Sequence, residues 1–144
     1  MNYALSYDPE DVDSLCLMGR IYSKMLTDYN KAKLYFEEAI QCDMTNLNVP
    51  QYYIKCLLDN EDLNEAEKLI SYSLKIKGID RSIILMHRSL LSEKRGSLAN
   101  ALKFLKEAEK HCFTSCSLEL VKERKKFIQS KRPKNKTKKK KEIQ

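Results

Sequence analysis

The stretch that decides the fold is DYNKAKLYFEEAIQCD, residues 28–43, because two later stretches repeat its pattern. Moved forward by 34 and then 35 residues, it falls on DLNEAEKLISYSLKIK at 62–77 and on SLANALKFLKEAEKHC at 97–112. Four columns keep one residue type each, in the order apolar, small, apolar, small: Tyr29, Leu63 and Leu98; Ala32, Ala66 and Ala101; Phe36, Ile70 and Leu105; Ala39, Ser73 and Ala108. A period of this length with helical spacing predicts stacked helix pairs.

A second set of helical patterns lies between these stretches and predicts the other helix of each pair. LCLMGRIY at 15–22 places apolar residues, a glycine and a tyrosine along one stripe. The segments 49–60 and 82–96 keep this spacing less strictly, with Ile54 where a small residue is expected and Ser89 where one is present. Small residues at such positions allow two helices to pack closely.

Together these patterns resemble the tetratricopeptide repeat, whose signature is W-x2-L-G-x2-Y, then A-x3-F and a final proline. The residues that match it in the first repeat are Leu15, Met18, Gly19, Tyr22, Ala32, Phe36 and Ala39. The first repeat has one extra residue in its inter-helix turn. The resemblance implies an all-α, right-handed solenoid with three such repeats at 12–113. Beyond them, apolar residues at helical spacing predict a capping helix at 114–130, with Ser115 or Ser117 as its N-cap. An unrelated helix bundle is the alternative.

The sequence begins with what the repeat pattern predicts to be the end of a helix. Ala4 lies 35 residues before Ala39, and Pro9 falls at the position of the repeat-ending proline. Residues 1–11 are therefore predicted to be the last part of an incomplete repeat. The chain is either a piece of a longer protein or a protein with an abbreviated first helix. In both cases an uncovered apolar end would favour a homodimer through the N-terminal end, and hence a self-assembly module as an alternative function.

Composition narrows the class of protein. Three glycines and three prolines among 144 residues favour helices, and no apolar run reaches the roughly 18 residues of a membrane span. The start of the sequence does not have the pattern of a signal peptide. Five cysteines, an odd number, predict reduced thiols in a cytoplasmic protein.

The net charge of +7 is unevenly distributed. Residues 122–144 contain 12 Lys or Arg and 2 Glu, so the rest of the chain is mildly acidic. A disordered basic tail is predicted at 131–144, with the cations Lys131, Arg132, Lys134, Lys136, Lys138, Lys139, Lys140 and Lys141. Such a run resembles nuclear-localisation and nucleic-acid-binding segments, so a nuclear location and a nucleic-acid- or ribosome-associated adaptor are alternatives. A purely solubilising end is the simpler interpretation.

Catalytic motifs are not found in the sequence. Its glycines are isolated, and its two histidines, His87 and His111, lie in different repeats. His111, Cys112 and Cys116 would give a metal three ligands, whereas structural zinc takes four. The sequence therefore predicts a protein that is not an enzyme and that has no metal or cofactor, and it treats these thiols as ordinary side chains.

The resemblance also indicates where a partner would bind. In tetratricopeptide arrays the first helix of each pair lines a concave groove that receives a peptide or a partner helix. The groove residues predicted here are Arg20, Gln51, Tyr52, Lys55, His87 and Leu90, with Cys16, Asp59 and Met86 beside them. Hydrogen-bond donors around an aromatic ring suit an acidic peptide. The alternative is that these are ordinary exposed polar residues.

One binding mode of the family is not carried over. Its chaperone-binding clamp needs lysine and asparagine side chains at positions that hold Cys16, Arg20, Tyr52, Ile83 and His87 here. Only Arg20 offers comparable chemistry. The sequence thus predicts a non-catalytic protein–protein interaction scaffold, and it predicts no membrane association and no chaperone binding.

Overall fold

The computed structural model describes residues 11–131, which form seven helices and no strand. The helices are α1 Val12–Lys24, α2 Tyr29–Cys42, α3 Val49–Asp59, α4 Leu63–Ser73, α5 Arg81–Lys94, α6 Leu98–Lys110 and α7 Ser115–Lys131. The prediction of an all-α protein is confirmed for this range. The predicted partial repeat at 1–11 lies outside it except for Asp11. No helix within 11–131 has both the length and the apolar character needed to cross a membrane.

Aspartates begin three of the helices by accepting hydrogen bonds from backbone N–H groups that have no partner within the helix. Asp11 accepts from the N–H of Asp13, Asp28 from that of Lys31 at 3.2 Å, and Asp80 from that of Ser82 at 3.1 Å. A cap of this kind stabilises a helix by about 1 kcal/mol.

The helices pack in an alternating order. Each helix contacts the next one along the chain, and in addition α1 contacts α3, α3 contacts α5 and α5 contacts α7. The odd-numbered helices thus form a continuous layer. The even-numbered helices lie further from one another, and α2 is linked to α4 by an ion pair in which Lys33 Nζ is 3.4 Å from a Glu65 oxygen.

The small residues of the repeat lie where helices pack most closely. Ala32, Ala39, Ala66, Ala101 and Ala108 are all fully buried. At Gly19 on α1 the helices approach too closely for a side chain, since a Cβ atom built there would lie 2.7 Å from Cε1 of the buried Phe36 ring on α2. The glycine of the predicted stripe is therefore required by the space that Phe36 occupies.

The apolar core consists of two clusters that meet at α5. Ile84 and Leu91 belong to the cluster built by α1 to α5, whereas Leu85 packs with α6 and α7. Leu74 contacts both clusters. The helix in the middle of the chain therefore uses two faces to hold the two halves together.

The turns inside the three helix pairs, α1–α2, α3–α4 and α5–α6, share one backbone conformation. Thr27, Glu61 and Gly96 have positive φ angles of 48°, 61° and 84°, and each stands two residues before the helix that follows. The next residue donates its N–H to a carbonyl in the preceding helix: Asp28 to Tyr22, Asp62 to Leu57 and Ser97 to Ser92. The first of these bonds spans one residue more than the others, which confirms the extra residue predicted in the first turn.

Helix α7 is fixed to the rest of the protein by apolar and charged contacts. Val121 and Ile128 are buried against α6 and α5, while Phe127 remains 47% exposed. The N-terminal cap is Thr114, whose hydroxyl accepts the N–H of Ser117 at 3.1 Å, so the prediction of Ser115 or Ser117 as the cap is wrong. The Thr114 hydroxyl lies three residues before the N–H group of Ser117, which has no acceptor within the helix.

The predicted start of the tail also differs from the structure. Lys131, which is predicted to lie in the disordered tail, is the last residue of α7 and forms an ion pair with Glu93 on α5. The charge run obscured the end of the helix, because α7 is itself rich in lysine. The other predicted tail cations, from Arg132 onward, lie outside the described residues.

We expect Gly19→Ala to lower the free energy of unfolding by about 1–3 kcal/mol, because the added methyl group overlaps the Phe36 ring. Phe36→Leu should reduce that overlap, so the two substitutions together should cost less than the sum of their separate effects. Chemical denaturation of the wild type, both single variants and the double variant measures this difference. Strict additivity would contradict the close packing of α1 on α2.

The shared turn predicts opposite effects for two substitutions. Thr27→Gly should raise the free energy of unfolding by about 0.5–1 kcal/mol, since a β-branched residue is strained at positive φ. Gly96→Ala should lower it by about 1 kcal/mol, although no atom lies within 4 Å of the added methyl group. Thermal unfolding of both variants tests this expectation. Equal signs for the two effects would show that backbone strain does not control these turns.

Candidate functional site

The predicted groove residues lie on the layer formed by α1, α3, α5 and α7. Arg20 on α1 places its guanidinium 4.2 Å from the centre of the Tyr52 ring on α3. This cation–π contact orients both side chains and stabilises them by about 0.5–2 kcal/mol. It forms the first of two adjacent parts of the candidate site.

The second part is a pocket of about 430 Å³ between α3, α5 and α7. It is lined by Gln51, Lys55, Ile83, Met86, His87, Leu90 and Arg124. Four of the six predicted groove residues therefore come together in one concavity, and the other two lie beside it on α1 and α3. We refer to this concavity as the α5 pocket, because α5 supplies four of its lining residues.

Sequence reasoning missed Arg124, because α7 was considered only as a cap. Arg124 lies three residues after the buried Val121 and four before the buried Ile128. A residue at that spacing falls at the edge of the buried face of a helix, and this was the available signal. Arg124 also packs its guanidinium 4.9 Å from the centre of the Phe127 ring.

The two cations of the α5 pocket have acidic partners that do not line it. Lys55 Nζ lies 2.6 Å from Oδ1 of Asp59, one turn further along α3. Arg124 Nη2 lies 2.5 Å from Oε1 of Glu93 on α5. The lining of the α5 pocket thus contains two positive charges and no carboxylate.

His87 lies in the α5 pocket as a neutral imidazole. Burial, reinforced by the positive charge of Lys55 and partly offset by the negative charge of Asp59, lowers the pKa of His87 from 6.5 to about 4. Its Nδ1 atom is buried and has no hydrogen-bond partner. A neutral imidazole offers one donor and one acceptor, so His87 differs from the purely donating residue that was predicted.

Two buried side-chain nitrogen atoms without a hydrogen-bond partner are found within residues 11–131, namely Nε of Arg20 and Nδ1 of His87. Both residues were predicted groove residues. Leaving such a group unpaired costs about 1–3 kcal/mol, so folded proteins retain few of them without a reason. Their location marks this surface as different from the rest of the described chain.

Cys16 does not line the groove as predicted. It is 7% exposed and packs with Leu15 in the first core cluster. Burial raises the pKa of the Cys16 thiol to about 11, so the thiol stays protonated at neutral pH. Cys16 lies on the buried face of α1, where its small side chain acts as an apolar residue.

The metal hypothesis gains no support from the described part of the chain. No group of three or more His, Cys, Asp or Glu side chains there could hold a metal ion. The Cys112 thiol donates to the carbonyl of Ala108 at 3.2 Å, while Cys116 is exposed on α7. His111, Cys112 and Cys116, which are close in sequence, therefore do not form one cluster.

Other concavities lie away from this surface. One is at the first turn around Asp28, one beside the stacked rings of Tyr22 and Tyr35, and one between Leu57 and Leu69. None of these is lined by a buried nitrogen atom that lacks a partner, as judged from residues 11–131. The α5 pocket therefore remains the best candidate.

The chain matches no model of a known protein family, and no curated protein matches it.

The low pKa of His87 predicts how stability depends on pH. Below pH 6.5 the unfolded chain binds a proton at this residue, whereas the folded protein does so only near pH 4. Stability should therefore fall as the pH is lowered through this window, by about 2 kcal/mol between pH 7 and pH 5. Denaturation at several pH values should show a smaller loss for His87→Gln. His111→Gln, which lies outside the α5 pocket, serves as the control and should behave like the wild type.

Proposed function

We propose that the protein is a non-catalytic interaction scaffold with a right-handed, tetratricopeptide-like solenoid. The odd-numbered helices line its concave groove, and the groove binds an acidic segment of a partner protein. The observation that carries this proposal is the position of the unpaired Arg20 Nε and His87 Nδ1 atoms, both on the odd-numbered helices. Unpaired buried polar groups lower stability, and proteins retain such departures from the rules of stable packing chiefly at functional sites.

The charges on this surface favour an acidic ligand. Arg20 has no carboxylate within ion-pair distance among the described residues. Its guanidinium is instead held in place by the Tyr52 ring, so little conformational entropy remains to be lost when it binds an anion. Lys55, which follows Tyr52 by three residues on α3, adds a second cation to this surface. Guanidinium and ammonium groups form their strongest hydrogen bonds with carboxylates and phosphates.

The alternative functions have less support. Nucleic-acid or ribosome binding through the basic tail depends on residues outside the described range, and so does self-assembly through the N-terminal end. Binding through the tail can be distinguished experimentally from binding in the groove. Binding through the tail would weaken steeply with salt and would be lost on truncation after Lys131.

A selection from a library of displayed peptides tests the proposal. The wild type should enrich acidic peptides, and fluorescence anisotropy should show at least about tenfold weaker binding of these peptides to the variant Arg20→Gln/Lys55→Gln. The loss of two charge-assisted contacts accounts for this magnitude.

The matched control is Lys68→Gln/Lys103→Gln, which removes two exposed charges from α4 and α6. It should bind like the wild type, and both double variants should keep the wild-type circular dichroism and melting temperature within a few degrees. Equal loss of binding in the two double variants would show that binding depends only on the net charge of the protein, and not on the groove. Enrichment of peptides that bind both variants as tightly as the wild type would show that the groove is not the site.

A further inference from the structure

We propose that the α5 pocket selects one large apolar residue next to an acidic residue in the bound peptide, and that Arg124 of the capping helix reads the acidic residue. This inference rests on the proposed function and specifies the ligand of the same surface. It also gives α7 a role in recognition that its position at the end of the fold did not suggest.

Three of the residues that line the α5 pocket are apolar. Ile83, Met86 and Leu90 lie on one face of α5 at helical spacing, and all three are only partly buried. A methionine in such a place adapts its shape to different apolar groups. A volume of about 430 Å³ is near the lower end of the range for small-ligand sites, roughly 300–1,000 Å³. It therefore suits one large side chain with its neighbours, and it is too small for a whole partner helix.

Two cations line the α5 pocket, Lys55 from α3 and Arg124 from α7, and each is paired with a carboxylate that does not line it. A peptide whose apolar residue fills the pocket would place the groups adjacent in sequence near these cations. Acidic groups at those positions complement the charge, and basic groups would be repelled.

The contacts of Glu93 allow Arg124 to change partner at low cost. Glu93 is only 11% exposed in its side chain, and it accepts from both Arg124 and Lys131. If Arg124 turned to a ligand carboxylate, Lys131 would still neutralise Glu93. A buried carboxylate left without a cation would be strongly unfavourable, so the second cation is what makes the exchange possible.

Arg124 is also supported from its other side. Its guanidinium packs on Phe127, and the Lys131 ammonium lies 5.1 Å from the centre of the same ring. The planar guanidinium can donate two hydrogen bonds to one carboxylate while it keeps this contact. The geometry thus favours Arg124 over Lys55 as the residue that distinguishes acidic from neutral peptides.

Nuclear magnetic resonance of the methyl-labelled full chain tests the inference with three synthetic peptides. Their sequences, with blocked ends, are Gly-Asp-Leu-Asp-Gly, the neutral Gly-Asn-Leu-Asn-Gly and the small Gly-Asp-Ala-Asp-Gly. The first peptide should cause saturable shifts of the Met86 and Leu90 methyl signals. The other two should bind at least about tenfold more weakly, since each lacks one of the two recognised features. Equal binding of all three peptides would overturn the inference.

Arg124→Gln should reduce the preference for the acidic over the neutral leucine peptide at least about fivefold, while shifts of the Met86 methyl signal persist. The control is Lys125→Gln, because Lys125 pairs with Glu109 at 2.5 Å and does not line the α5 pocket. It removes a comparable α7 contact and should leave the preference unchanged. If both variants lost the preference equally, Arg124 would act only by holding α7 in place, and the proposed recognition role would be wrong.

The outcome separates this inference from the proposed function. Displayed peptides that require Arg20 and Lys55 but have no apolar residue beside an acidic one would leave the scaffold standing and overturn the selectivity. A failure to enrich any groove-dependent peptide, together with unshifted Met86 and Leu90 signals, would overturn both. Binding of a nucleic acid at these methyl groups, with none of the peptides, would replace the peptide as the ligand.

Discussion

The close helix contact between Gly19 and the Phe36 ring fixes how α1 lies on α2, and the other helices pack onto this pair. It lets α1 lie against α2 at a distance that any Cβ atom would prevent. Phe36 also stacks on Tyr53 of α3, with ring centres 5.5 Å apart. The same ring therefore contacts the first helix of the next pair. Gly19 and Phe36 together thus position α1, α2 and α3 relative to one another.

The alternation between a continuous odd-numbered layer and more separated even-numbered helices explains why the candidate site lies where it does. Side chains of three successive odd-numbered helices can reach a common space only if those helices are neighbours. The even-numbered helices bury the small columns instead and keep polar pairs such as Lys33 and Asp62 at the surface. The odd-numbered helices therefore carry core residues, such as Ile84 and Leu85, on one part of their surface and the residues of the candidate site on another.

Much of the architecture could be predicted from the sequence, because a repeated period encodes which face of each helix is buried. The small columns and the extra residue of the first turn followed from that periodicity. Four of the residues in the α5 pocket followed from the resemblance to tetratricopeptide arrays. The role of Arg124 did not, because it depends on where the last helix lies across α5. The neutral state of His87 depends on desolvation by several helices at once. Cys16 was misplaced because it lies at the boundary between the buried and the exposed face of α1.

The division of the core at α5 has a dynamic consequence. Two clusters joined through one helix can open separately, so the described chain should contain two cooperative units of unequal stability, with α5 at their boundary. The α5 pocket spans that boundary, since α3 belongs to the first cluster and α7 to the second. A molecule held there would bind only when both units are closed, and it would act as a non-covalent cross-link between them. The free protein would fluctuate in two parts, and the complex would fluctuate as one.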